Sequence, residues 1–381
     1  MSEAPNADSK AKRDLLKISQ LAQKLGITQR TIRYYEQIGL LPSARRTQGR
    51  MRLFDQNDIQ RTNEIRAMQK ERGMSLEQIR DFLSQQQNLK PADLAKQRLR
   101  IMTDVTASLP EEFFIEKQVP RLPIMVKIDK HVYGAKQKLS NAELFEDVQR
   151  KGVYPSTVPA DDKTILQFFK QLVQEGAEQV LVLTLSSQLS ETFKRVQRQA
   201  QKFRDLQIVV LDSRSSAGGL GVLVCEAVRL KDAGQGLMQI QERLQAYIPQ
   251  LLQLFTVHAL EHLYKSGRIS PEFSGYMSML LDFKPVLALR EGKGHIELVG
   301  RADTSEAAFE KMTDLFYRWL EGRAEPRFVA VVYNGLQSQA ELLVKHIQAQ
   351  LPEIPVLLAE GNPVLAVHLG PRAIGIAAIP A

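Results

Sequence analysis

The feature that most constrains this chain is the uneven distribution of its charge. Residues 1–100 hold 20 lysines and arginines against 11 aspartates and glutamates, a net +9, while the remainder carries 31 against 32. The whole formal charge of +8 therefore sits in one N-terminal segment. A chain of 381 residues also exceeds what one ordinary core organises, so two or three domains are expected. A small basic unit on a neutral body is the electrostatic footprint of a nucleic-acid-binding head. A merely solvated basic face would give the same balance, so the motifs have to decide.

From Ile18 the chain reads ISQLAQKLGITQRTIRYYEQIGLL. Ser19 can cap a first helix whose Leu21, Ala22 and Leu25 fall on one face. Gly26 suits a left-handed stop, and Thr28 can cap a second helix. That helix turns Ile32 and Tyr35 inward, leaving Gln29, Arg30, Arg33 and Tyr34 on its other faces. Two short helices joined by a glycine-containing turn form a helix-turn-helix, whose second helix enters the major groove of DNA. After Pro42 come Arg45, Arg46, Arg50 and Arg52 around Gly49, the pattern of a basic hairpin lying along phosphates, with Leu53 and Phe54 anchoring its second strand. A third helix is expected from Asn57 to about Glu71, and Ser75 with Gln78 is spaced as a capping box for a fourth.

The strings TIRYYEQIGLLPSARR, RLFDQNDIQR and RGMSLEQIRDFL together resemble the DNA-binding domain of the MerR family. The resemblance implies that Arg33, Tyr34 and the wing arginines contact duplex DNA. Met51 stands where many relatives carry a wing tyrosine or glutamine. The long dimerisation helix of that family is not expected, because Pro91 interrupts the chain soon after Gln87. A homodimer would then draw much of its interface from the body.

The body, from about residue 99, alternates apolar strand-like runs with helical segments. The runs around VLVLTL and IVVLD follow helices expected near 163–175 and precede or follow one near 192–203. That order predicts a mostly parallel sheet with helices on both faces, and ligands at the C-terminal ends of its strands. Those ends are rich in hydroxyls: Ser156, Thr157, Ser186, Ser187, Ser190, Ser213, Ser215 and Ser216. Short hydroxyls and exposed amides suit an anion such as a carboxylate, although any single one more often caps the next helix. The glycines of GGLG lack the lysine and hydroxyl of a phosphate loop and read as a tight helix entry.

In order along the chain, TDVTASLP, YPSTVPADD, LTLSSQLSETF, LDSRSSAGGLG, ALEHLYKSGRIS, LLDFKPVLALREGKG and AVHLGPRAIGI resemble the DegV or FakB type of fatty-acid-binding proteins. The resemblance implies a two-lobed α/β domain with an apolar tunnel for one acyl chain. It puts Ser156 and Ser190 at the carboxylate, with Thr157 and Ser187 nearby, and maps the family's arginine and histidine onto Arg268 and His368. Tyr264, Phe283 and the Met277–Met279 region would line the tunnel. Glu191, Ser266 and Arg372 stand where the family usually has glycine, an acidic or glycine pair, and glycine. Read from the residues alone, His368 is a lone histidine in an apolar strand.

These readings give a multidomain chain: a tail at 1–16, a winged helix-turn-helix at 17–86, a short linker at 87–98 and a lipid-binding domain at 99–381. The expected function is a transcription regulator whose body binds a fatty acid and modulates promoter binding. The alternative is a carrier presenting acyl chains to a fatty-acid kinase partner. No nucleophile–base pair, nucleotide loop or metal cluster is evident, so neither an enzyme nor a cofactor is expected. One cysteine, Cys225, rules out an internal disulfide. The polar N-terminus and the lack of a long apolar run point to the cytoplasm.

Overall fold

The computed structural model describes residues 16–38, 40–41, 45–46, 52–72, 75–76, 79, 98–134, 139–258, 260–269 and 283–381. The chain divides into two compact units, Met1–Leu94 and Ala95–Ala381.

In the first unit, β1 (Leu16–Lys17) pairs antiparallel with β3 (Arg52–Phe54), which also pairs with β2 (Arg45–Arg46). Helix α1 (Ile18–Leu25) follows β1 without a gap. Its N-cap is Lys17, whose backbone N–H donates to Gln20 Oε1 at 2.8 Å, so Ser19 lies inside the helix rather than capping it. The pairing of β1 with β3 fixes the chain direction two residues earlier than local capping suggests. Gly26 adopts φ +64° and ends α1, a left-handed geometry that suits a residue without Cβ. Thr28 Oγ1 accepts from the Thr31 N–H at 3.1 Å and starts α2 (Gln29–Gln37). Helix α3 (Gln56–Arg72) follows β3. Leu21, Ile32, Leu40, Phe54, Ile65 and Ile79 form its core, and Arg66 donates to the exposed end of α1 at Leu25 O, 2.6 Å.

The second unit opens with β4 (Leu99–Asp104), α4 (Glu111–Glu116), β5 (Arg121–Leu122), β6 (Ile124–Ile128), β7 (His131–Tyr133), α5 (Asn141–Lys151) and β8 (Ser156–Pro159). Helix α6 (Asp162–Gln174), β9 (Gln179–Thr184), α7 (Thr192–Lys202), β10 (Gln207–Asp212), α8 (Ala217–Asp232) and α9 (Leu237–Tyr247) follow. Then come β11 (Leu252–Val257), α10 (Glu261–Lys265), β12 (Lys284–Arg290), β13 (Glu297–Ala302) and α11 (Ser305–Leu320). The chain ends with β14 (Pro326–Asn334), α12 (Gln337–Gln350), β15 (Val356–Glu360), α13 (Pro363–Leu369) and β16 (Ala373–Pro380).

Among the described residues the strands of this unit form three sheets. One is parallel, in the order β10-β9-β4-β5. A second has six strands, β13-β12-β11-β16-β14-β15, antiparallel except for β14 against β15. A third, β7-β6-β8, is small and antiparallel. The expected mostly parallel sheet is therefore correct only for the first of these. Crossover helices identify a parallel sheet in sequence, whereas the antiparallel neighbours β11 and β16 are 115 or more residues apart and leave no local signal. His368 also stands on a helix, not a strand. Asn362 caps it by accepting from the Leu365 N–H at 3.2 Å, Pro363 occupies its first turn, and Gly370 stops it.

Helix α8 is buried along nearly its whole length and packs on both large sheets. Its glycines serve close packing: a Cβ on Gly221 would come within 2.8 Å of the Ser108 carbonyl oxygen. No phosphate loop is formed.

Candidate functional site

In the second unit a narrow apolar cavity lies between the six-stranded sheet and helices α8 and α13. It holds about 910 Å³ of empty space counted to its open mouth. That geometry fits a thin chain better than a bulky ring. Alternation along the strands builds one wall: Asn334, Val332 and Ala330 of β14, Ala373, Gly375 and Ala377 of β16, and Phe255 and Gln253 of β11 share one face. The small residues of β16 leave the room. The opposite wall begins where parallel strands end, at Thr106 and Leu185. Buried Asp104 ties those ends together, accepting from the Leu185 N–H at 2.7 Å and from Thr106 Oγ1 at 2.6 Å.

Four of the residues expected at a ligand's head group line this cavity: Thr157, Ser190, Arg268 and His368. Thr157 Oγ1 lies 3.1 Å from His368 Nε2. The other ring nitrogen, Nδ1, is buried with no partner among the described residues. Burial first, then the positive charge of Arg268, push the His368 pKa down to about 3, so its imidazole is neutral near pH 7. The half-buried Arg268 guanidinium donates to the Leu189 carbonyl at 3.3 Å and to the Ser266 carbonyl, and burial holds its pKa below the ordinary arginine value. Among the described residues no carboxylate pairs with it. Ser190 Oγ accepts from the Thr192 N–H at 3.2 Å, just before α7, and Ser190 lines the cavity.

Two expected residues lie elsewhere. Ser156 is exposed on β8 and does not line the cavity; alternation along the strand turns its neighbour Thr157 inward instead. Ser187 donates its backbone N–H to Asp212 Oδ1 at 3.1 Å, also outside the cavity. Tyr264 is 50% exposed, and Phe283 packs against the cluster that includes Phe255 and Leu263, beneath the Arg301 guanidinium, without lining the cavity. The Met277–Met279 region lies outside the described residues. Glu191 sits on the surface, paired with Lys194 at 3.1 Å, and repels nothing in the cavity. Among the lining residues that sequence reasoning missed is the polar Gln253. Its signal was a lone amide within the otherwise apolar run LQLFTV.

In the first unit α2 presents Gln29, Arg30, Arg33 and Tyr34 to solvent, as two i, i+4 pairs on one side of the helix. Tyr34 is 48% exposed, whereas Tyr35 is 4% exposed and donates its hydroxyl to Gln69 Oε1 at 3.0 Å. Arg45, Arg46 and Arg52 stand on β2 and β3, and Arg50 and Met51 lie outside the described residues.

Fold and cavity define an α/β body with an apolar cavity, on a chain that also carries a helix-turn-helix head, and comparison with known proteins names the classes. A DegV-family model matches residues 98–381, and a model of the MerR helix-turn-helix family of regulatory proteins matches residues 16–86. The chain belongs to the DegV family and carries a MerR-type helix-turn-helix. A DegV domain-containing protein of Deinococcus radiodurans is 31% identical over 287 residues, 74% of this chain and 98% of that protein. Among solved structures, a DegV-family protein of Thermus thermophilus, described as fatty-acid-binding, superposes with a TM-score of 0.66 at 27% identity, covering 74% of this chain and all of its own. A fatty-acid-binding DegV-family protein of Streptococcus agalactiae gives 0.68 at 25% identity, covering 75% of this chain and 99% of its own. No helix among the described residues is long and apolar enough to cross a membrane.

Proposed function

We propose that this protein is a cytoplasmic DNA-binding regulator whose body, about residues 99–381, holds one fatty acid and whose head, about 17–86, binds a promoter with an affinity that depends on that ligand. The observation that carries the ligand assignment is the half-buried Arg268, without a carboxylate partner among the described residues, beside a neutral His368 on a narrow apolar cavity. A buried charge demands a counter-charge, and an acyl carboxylate supplies one while its tail fills the apolar space. Thr157 and Ser190 add hydroxyls to the same head group. The fatty-acid-binding relatives from Thermus thermophilus and Streptococcus agalactiae support this reading. Mass spectrometry of the purified protein is expected to find one fatty acid per body; an empty or purely aqueous cavity contradicts the assignment.

The head is proposed to bind duplex DNA as part of a homodimer, on a pseudo-palindromic site, through the exposed face of α2 and the wing arginines. Arg33→Ala is expected to weaken operator binding by about 1–3 kcal/mol if Arg33 reads a base. The wing arginines act through phosphates, so log affinity should fall linearly with log salt. Affinity independent of salt would count against the assignment.

Coupling between the two sites separates a regulator from an acyl carrier that feeds a kinase. Lipid-loaded and delipidated protein should differ in operator affinity by about 1–3 kcal/mol, and operator should change lipid affinity by the same factor. Equal affinities in both comparisons would make the body a carrier and the head an independent anchor.

A further inference from the structure

Deep in the cavity, away from the head-group residues, the wall carries an amide that a plain acyl chain cannot use. Gln253 lies on β11, 7% exposed, between Leu289 and Ala377 on the neighbouring strands. Ser215, itself buried, donates its hydroxyl to Gln253 Oε1 at 2.6 Å. That bond satisfies the acceptor end of the amide. Among the described residues the Nε2 end has no partner, so two N–H donors remain at the wall of a largely apolar channel. Ser216 lines the same cavity and is the N-cap residue of α8, but its side chain makes no capping hydrogen bond. A helix start contributes further unpartnered N–H groups and a positive end. The pair is built into the fold: a Cβ on Gly219 would sit 2.0 Å from Ser215 Oγ and 2.5 Å from Gln253 Oε1.

Register gives the depth of this notch. Asn334, Ala373 and Val257 form the rung nearest α13 and the segment bearing Arg268; Val332, Gly375 and Phe255 form the next; Ala330, Ala377, Gln253 and Leu289 form the third. Four strand residues separate the first from the third, about 13 Å. With carbon–carbon bonds of about 1.5 Å, an extended chain covers that in about ten carbons.

We infer that the cavity selects an acyl chain bearing an oxygen substituent, hydroxyl or oxo, near its middle, and that Gln253 is the residue that recognises it. A saturated chain would bury the Nε2 donors without an acceptor, which is unfavourable in a medium that excludes water. A mid-chain oxygen accepts from Gln253 and meets the positive end of α8. The assignment rests on the acyl-binding reading proposed above.

The test titrates delipidated full-length protein with stearate and with hydroxystearates carrying the hydroxyl near the carboxylate, at mid-chain or near the methyl end. The mid-chain isomer is expected to bind about tenfold tighter than stearate, the scale of one buried donor satisfied, and tighter than either end isomer. Gln253→Leu should remove that preference while still binding stearate. If stearate and all isomers bind equally, or Gln253→Leu keeps the preference, this assignment is wrong and the acyl-binding reading survives. If no acyl chain binds, both fall. The isomer series on the unaltered protein keeps the test decisive even if Gln253→Leu does not fold.

Discussion

Replacing Arg268 with methionine is expected to empty the cavity of fatty acid. Methionine keeps the length and apolar stem of the side chain, so packing against Leu189 is largely retained. What disappears is the guanidinium, the one cation placed on the cavity lining among the described residues. In a cavity that excludes water, truncating one partner of a hydrogen-bonded charge pair costs about 2–5 kcal/mol, because the other charge is left buried and unpaired. Lipid affinity should therefore fall by roughly 30-fold to several thousandfold. Arg268→Lys should recover only part of it, since a lysine cannot donate in the fixed fork that a carboxylate accepts. The measurement is isothermal titration of delipidated protein, paired with a melting curve to show that the fold persists. Retained lipid in Arg268→Met would move the head-group site away from Arg268 and His368.

The second large effect is on acid stability. The folded-state pKa of His368, about 3, lies below the ordinary histidine value of 6.5. Between those values the unfolded chain binds a proton that the folded chain refuses, so folding stability falls as pH drops from 6.5 towards 3 and is fully present above 6.5. The causes are burial first, then the charges of Arg268 and His262. Integrated over that window the loss approaches roughly 4 kcal/mol. Urea unfolding of delipidated protein at stepped pH should show this slope, and His368→Gln should flatten it. His258 and His262 also titrate below their ordinary values through burial and remain in both proteins, so the difference between the two curves isolates His368. Bound carboxylate should flatten the slope too, because a neighbouring negative charge favours the imidazolium. A slope unchanged by His368→Gln would show that this imidazole is not the group refusing the proton.

Much of the molecule was legible in the residues, for local reasons. The helix-turn-helix follows from neighbours: Gly26 and Thr28 fix where one helix stops and the next starts, and the spacing of Leu21, Leu25, Ile32 and Tyr35 fixes what is buried. Arg268 and His368 could be singled out only through the resemblance, since 100 residues of chain separate them. Local alternation could also have shown that only one of Ser156 and Thr157 turns inward, but not which. That was decided when β8 took its register on β6, pairing Thr157 with Val126. Likewise nothing near Gln253 announces a cavity. Its role exists because β16, more than 110 residues later, lays Ala373, Gly375 and Ala377 beside β11 and leaves a channel where larger side chains would have filled a core. The sequence by itself determined the helix-turn-helix, the crossover helices of the parallel sheet and where the charge lies, because these depend on residues within a few turns of each other, whereas the apolar run around His368 read as a strand and folds as a helix. Which side chains meet around a ligand was decided only by long-range strand pairing, whose register no local pattern encodes.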